Sequence, residues 1–175
     1  MTWTAPDVVR HEPPDVADER SALQGWLDYH RATLAWKCEG LSDDQLRERS
    51  VPPSGLSLLG LVRHMTENEQ GWFRRRLLGE DLPPLYYSDE DPDGDFNDTG
   101  SADGATVLRT WEQECAAARD AVAGVDLDAL SKTGDRRTGE LFSLRWILTH
   151  MIEEYARHNG HADLLRERID GVTGD

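Results

Sequence analysis

The chain has 175 residues, 30% charged and 38% hydrophobic, with 34 Asp and Glu against 19 Lys and Arg for a formal net charge of −15. That length can bury one proper core, and the sign of the charge argues against non-specific binding to nucleic acid or an anionic membrane surface. Two cysteines make no disulfide framework, no run approaches the roughly 18 apolar residues of a membrane span, and the N-terminus lacks the basic-then-apolar order of a signal peptide, so a cytoplasmic protein is expected.

Pro13 and Pro14 precede the first amphipathic segment, Glu19 to Cys38. Leu23, Leu27, His30, Leu34 and Cys38 share one face, with Trp26 beside it, and Gly40 is placed to stop the helix. His30 on that face reads as a core or rim histidine before it reads as a ligand. In LSDDQLRER, Ser42 can cap a single turn, and Pro52 and Pro53 forbid its continuation. A second long helix is predicted from Ser57 to Leu78. Its inner stripe is Leu58, Leu61, Met65, Trp72 and Leu78, flanked by Val62 and Phe73, with Arg63, Glu67 and Glu69 at polar azimuths. Arg74, Arg75 and Arg76 read first as a solvated helix end, although a local cluster of that sign leaves room for a small anionic ligand.

The stretch from Glu80 to Gly104 is too rich in Pro, Gly and Asp for a regular element. It reads as a long crossover that Tyr86, Tyr87 and Phe96 pin across the bundle. Its DEDPDGD run lacks the twelve-residue alternation and closing glutamate of a calcium loop. A third helix repeats Val107 or Leu108, Trp111, Cys115, Ala118 and Val122 before Gly124, and a fourth spans Ser143 to Ile169 before Gly171. Cys38 and Cys115 occupy apolar positions and read as buried structural thiols. The expected fold class is all-α, a four-helix bundle with long crossover loops: residues 1–18 an N-terminal arm, 19–171 a single domain, 172–175 a tail.

The last helix carries the chemistry. Its apolar stripe is Leu144, Leu148, Met151, Tyr155, Ala162 and Leu165, yet Glu154, His158 and His161 fall on or beside it. At about 100° per residue, positions four apart differ by only about 40°. Polar groups facing a core are costly unless something binds them, and a metal ion is an economical partner. His64 on the second helix is the best candidate for a further ligand. Two imidazoles and one carboxylate suit zinc first, with nickel, iron or manganese also compatible, and three protein ligands leave a position open. Spacing alone also allows a simple Glu154–His158 hydrogen-bonded pair. His150 reads as lining the approach, and the HEXXH pattern of zinc proteases is absent.

The segments GLSDDQLRERSVPPSGLSLLGLVRHMTENEQGWFRRRLLGE and SLRWILTHMIEEYARHNGHADLLRERIDG resemble the DinB-like (DinB/YfiT-like) family. More narrowly, they resemble an actinobacterial branch similar to the mycothiol-dependent S-transferases and the metal-binding domain of maleylpyruvate isomerases. The resemblance runs from about Glu19 to Gly171. It implies an up-down-down-up four-helix bundle, often dimeric, with a divalent metal near one end held by His64, Glu154 and His158. His161 would support the site or handle protons. Mycothiol would be the small-thiol co-substrate and a small electrophile its partner. The isomerases carry an additional C-terminal domain, whereas this chain ends four residues after Gly171, which weighs against maleylpyruvate isomerisation. Metal-dependent hydrolysis and metal or small-ligand binding without turnover are the alternatives.

Overall fold

The computed structural model describes residues 3–97 and 99–174. The fold is all-α, and among the described residues only two isolated β-bridges occur, Thr4 with Ser42 and Leu130 with Ser143. Helix α1 is Glu19–Cys38, α2 Asp43–Arg47, α3 Leu58–Glu69, α4 Gly94–Asn97, α5 Gly104–Val122 and α6 Leu144–Asp170. A π-helical segment, Gln70–Leu77, continues α3 without a break. Each long helix starts on a side chain that takes up an orphan backbone donor. Asp18 accepts from Ser21 N at 3.0 Å, Ser57 from Gly60 N at 3.1 Å, Asp103 from Thr106 N at 2.9 Å and Ser143 from Trp146 N at 3.2 Å. Gly171, at φ 79°, ends α6 in the left-handed conformation. Helix α1 packs chiefly along α6, and α3 along α5. No helix of the described residues is long and apolar enough to cross a membrane.

The expected plain four-helix bundle is incomplete, because among the described residues six α-helices and the π segment pack together. The loop expected to lack regular structure contains α4, a single turn in which Asp93 O accepts from both Phe96 N and Asn97 N at 2.9 Å. It packs close: a Cβ on Gly94 would lie 2.4 Å from Tyr86 O. The pinning residues act through polar partners on the second long helix. Tyr86 covers the Arg63 guanidinium at 4.6 Å, Tyr87 accepts from Arg75 at 3.2 Å, and Phe96 stacks on His64 at 4.8 Å.

The π segment also corrects the predicted stripe. Leu58, Leu61 and Met65 are buried as expected, but Phe73 and Leu77 follow them inward, while Leu78 is 41% exposed and Trp72 only partly buried. A row of positions four apart drifts by about 40° per step on an α-helix. The wider i→i+5 turn absorbs that drift, so Met65, Glu69, Phe73 and Leu77 stay on the core side.

The placement of Arg63, Glu67 and Glu69 at polar azimuths is likewise overturned, since all three are buried. Arg63 donates to Gly94 O at 3.1 Å, and Glu67 accepts from Leu85 N at 2.6 Å and from Tyr86 N, so the crossover covers this face. Glu69 is wholly inside. It receives Arg31 through Nε at 2.8 Å and a terminal nitrogen at 2.6 Å, and the Tyr155 hydroxyl at 2.7 Å. Trp111 Nε1 donates in turn to Tyr155 Oη at 2.9 Å. Burial pushes the Tyr155 phenol well above its ordinary range, which keeps the proton it donates.

Removing the carboxylate in Glu69→Ala leaves the buried Arg31 with only the half-exposed Asp28, 2.9 Å from its other terminal nitrogen, as counter-charge, and a loss of about 3 kcal/mol is expected. Arg31→Met combined with Glu69→Leu should recover part of it, because apolar groups of similar volume need no partner, although the buried Tyr155 hydroxyl still loses its acceptor. Urea unfolding followed by circular dichroism reads both; a loss under about 1 kcal/mol for Glu69→Ala would show that the pair is not an obligatory unit.

Candidate metal centre

Helices α3 and α6 bring His64, Glu154 and His158 together. One ligand atom from each lies within 4.8 Å of the others. Glu154 Oε2 is 3.9 Å from His64 Nε2 and 3.6 Å from His158 Nε2. Two ligands each at 2.0–2.1 Å from one ion can be at most about 4.2 Å apart, so both spacings are compatible with a shared ion. His158 is 9% exposed, His64 and Glu154 are half-buried, and His64 borders a cavity of about 440 Å³.

The surroundings of the two imidazoles favour ligation. Asp95, 5% exposed on α4, accepts from His64 Nδ1 at 2.7 Å. That contact assigns the proton to Nδ1 and turns the Nε2 lone pair toward Glu154, the carboxylate–histidine arrangement that orients metal ligands. Asp95 is itself held, since its Oδ1 accepts from Phe96 N at 3.0 Å. His158 shows its Nε2 to Glu154 while its Nδ1 lies 3.3 Å from His161 Nδ1. Burial, reinforced by neighbouring His64 and His161, lowers the His158 pKa to about 4. Its imidazole is therefore neutral at pH 7, the form that binds metal. Asn68 Nδ2 donates to His64 Nε2 at 3.0 Å, so an ion entering here would take the place of this contact.

His150 stands at the edge of the site rather than in the triad. It stacks on Trp146 at 4.9 Å, meets Trp72 edge-on at 4.7 Å and can group with Glu153 and Glu154. His30 lies outside both groupings; its carbonyl accepts from Asn159 at 3.0 Å. Cys38 and Cys115 are buried as expected. Burial raises the Cys38 thiol to about 12 and lifts Cys115 well above its ordinary value, so neither is poised as a nucleophile.

Sequence reasoning missed Asp95 and Asn68. Asn68 follows His64 by four residues, a legible helical pair. Asp95 is one acid among several in the crossover, and nothing in its local spacing distinguishes it. The solvated end expected for Arg74, Arg75 and Arg76 is also corrected: all three are only partly exposed, and Arg75 and Arg76 line the cavity beside Trp72, Tyr87 and Arg136.

A family model described as Mycothiol-S-transferase matches residues 22–171, from the first turn of α1 through the glycine that ends α6. No curated protein matches the chain.

The depressed His158 pKa sets the direction of a pH dependence. The unfolded chain protonates this imidazole near pH 6.5 and the folded, metal-free chain only near 4, so the unfolded state binds more protons between those values. Burial also lowers His30 and His150, which adds in the same direction. Stability in the presence of chelator should be complete above about pH 6.5 and fall as the pH drops toward 4. His158→Asn should flatten that slope in urea titrations run from pH 7 to 4. An equal slope in the variant would assign the effect to other groups.

Proposed function

Since the chain belongs to the mycothiol-S-transferase family, a DinB-like family, we propose that it is a divalent-metal-dependent enzyme joining a small thiol, mycothiol in the first instance, to a small electrophile. The observation that carries this reading is the convergence of His64, Glu154 and His158, with Asp95 behind His64. His64 Nε2, a Glu154 oxygen and His158 Nε2 would hold the ion; zinc is the first candidate, with nickel, iron or manganese also suited to this donor set. When bound, such an ion supplies charge compensation that keeps a thiol in its thiolate form at neutral pH.

The chain's own residues do the remaining work. Glu154 serves as a ligand rather than a general base, and Asp95 holds the His64 ring in one tautomer. His161, in contact with His158 Nδ1, either fixes that ring or accepts the proton released by the thiol. The partly buried Trp72, beside Phe142 at 5.1 Å and Trp146 at 5.2 Å, offers an apolar wall for the electrophile and keeps water from one side of the cavity. This reading takes residues 19–171 as one DinB/YfiT-like domain whose long helices run up-down-down-up, with 1–18 an arm and 172–175 a tail. Such a protein would work in the cytoplasm, as a homodimer by resemblance to its family.

Protein prepared without a polyhistidine tag should contain about one divalent ion per chain, and His64→Ala or His158→Ala should lose most of it while keeping helical circular dichroism. Chelation should lower the melting temperature reversibly, because an ion bound only by the folded state stabilises it by mass action. With mycothiol present, wild type should consume chlorodinitrobenzene faster than His158→Ala at equal thiol concentration. Metal content unchanged in both variants would remove the triad. Metal bound by the wild type without enhanced consumption would favour hydrolysis or binding without turnover.

A further inference from the structure

The consecutive arginines of the π segment differ in what neutralises them. Arg74 meets Glu80 at 2.8 Å and Glu114 at 3.0 Å. Arg75 reaches Glu67 only at 3.6 Å and donates to Tyr87 Oη at 3.2 Å. Arg76 has no ion pair among the described residues. One of its nitrogens donates to Gly134 O at 2.8 Å, and its guanidinium lies 4.7 Å from the Trp72 ring and 5.4 Å from Phe142. Arg136, exposed on the turn after Gly134, also has no ion pair among the described residues. The adjacent Asp135 is engaged in its own turn, where its Oδ1 accepts from Arg137 N at 2.8 Å and Thr138 N at 3.0 Å.

Arg75, Arg76 and Arg136 line the same cavity as His64 and Asp95. They also border a second cavity of about 400 Å³ that extends to Thr133. Clustering guanidinium groups carries a repulsive cost. Burial is the largest cause of the depressed Arg76 pKa; Asp135 opposes it, while Arg136 and Arg75 add to it. In a chain of net charge −15, carboxylates to relieve that repulsion are abundant, yet none pairs with Arg76 or Arg136. Glu67, Asp89 and Asp95 share the first cavity with the arginines, but the second is lined by Arg75, Arg76 and Arg136 with no carboxylate beside them, a positive centre able to take a counter-ion from outside the chain. An aromatic plane on Arg76 leaves its edge to donate, the geometry that suits a planar carboxylate.

We propose that Arg76 and Arg136, assisted by Arg75, form an anion subsite that recognises a carboxylate on the electrophilic substrate, the apolar body of that acid lying against Trp72. The acid's role as substrate rests on the thiol-transfer reading; the anion subsite itself does not. The substrate class is thereby narrowed to small carboxylic acids with an electrophilic carbon.

Fluorine NMR titration with 4-(trifluoromethyl)benzoate and its neutral amide, 4-(trifluoromethyl)benzamide, tests this without thiol or turnover. Failure of thiol transfer therefore leaves the result readable. Wild type is expected to bind the acid at least about tenfold more tightly than the amide, with the preference declining as salt rises. Arg76→Met keeps the stacking on Trp72 but not the charge, and should weaken acid binding about tenfold while leaving the amide unchanged. Arg136→Met, on an exposed turn with no core contact to lose, should weaken it about threefold because its charge is better screened. Arg109→Met, which removes one positive charge from the exposed face of α5, should change neither. Repeating the titration with chelator separates the arginines from the metal. Equal affinity for acid and amide, or a preference unchanged in both Arg76→Met and Arg136→Met, overturns the subsite. So does a preference abolished by chelator in the wild type, which would put the carboxylate on the ion.

Discussion

Glu69 is buried completely and accepts hydrogen bonds from Arg31 on α1 and Tyr155 on α6, while Tyr155 receives Trp111 of α5. Four chain segments distant in sequence therefore meet at one carboxylate and one phenol. Apolar packing along the helices is tolerant of small rotations and slides, whereas a forked ion pair at 2.6 and 2.8 Å is not. A buried pair of this kind contributes little net stability compared with apolar replacements, but it penalises every alternative register in which one charge lacks its partner. We interpret the network as the constraint that sets the azimuth of α6 against α3. It acts one residue from Glu154 and three from His158, through Tyr155 on the same helix.

The π segment carries that register toward the cavity. Its wider turn keeps Phe73 and Leu77 in the core and leaves Trp72, Arg75 and Arg76 along one side of the cavity shared with His64. An uninterrupted α-helix would rotate this row progressively away. The crossover completes the enclosure, bringing Asp95 to the far nitrogen of His64 and Tyr87 to Arg75. Its acidic composition thus has a local purpose in at least one residue, where a carboxylate fixes the orientation of an imidazole.

Helix boundaries were legible because they depend on neighbours in the chain. Asp18, Ser57, Asp103 and Ser143 each satisfy donors within three residues, and Gly40 and Gly171 adopt the positive φ that halts a helix. The pairing of Glu154 with His158 was legible for the same reason, since one α-helical turn sets their separation. His64 could be selected as a companion from composition and resemblance, but its distance from them could not. The inner stripe failed beyond Met65 because a constant 3.6-residue period was assumed where the helix changes its turn.

Apolar periodicity, caps and helix-breaking residues by themselves determined an all-α chain, its long helices and an i,i+4 carboxylate–imidazole pair, because all of these arise from contacts a few residues apart. Only the tertiary structure decided that Arg63, Glu67 and Glu69 are buried, that Asp95 backs His64, and that Arg76 borders a cavity instead of bulk water. A side chain's polarity states what its burial would cost. Whether that cost is met depends on partners tens of residues away, as with Arg31 for Glu69 and the crossover backbone for Glu67, and local sequence does not encode which distant group arrives.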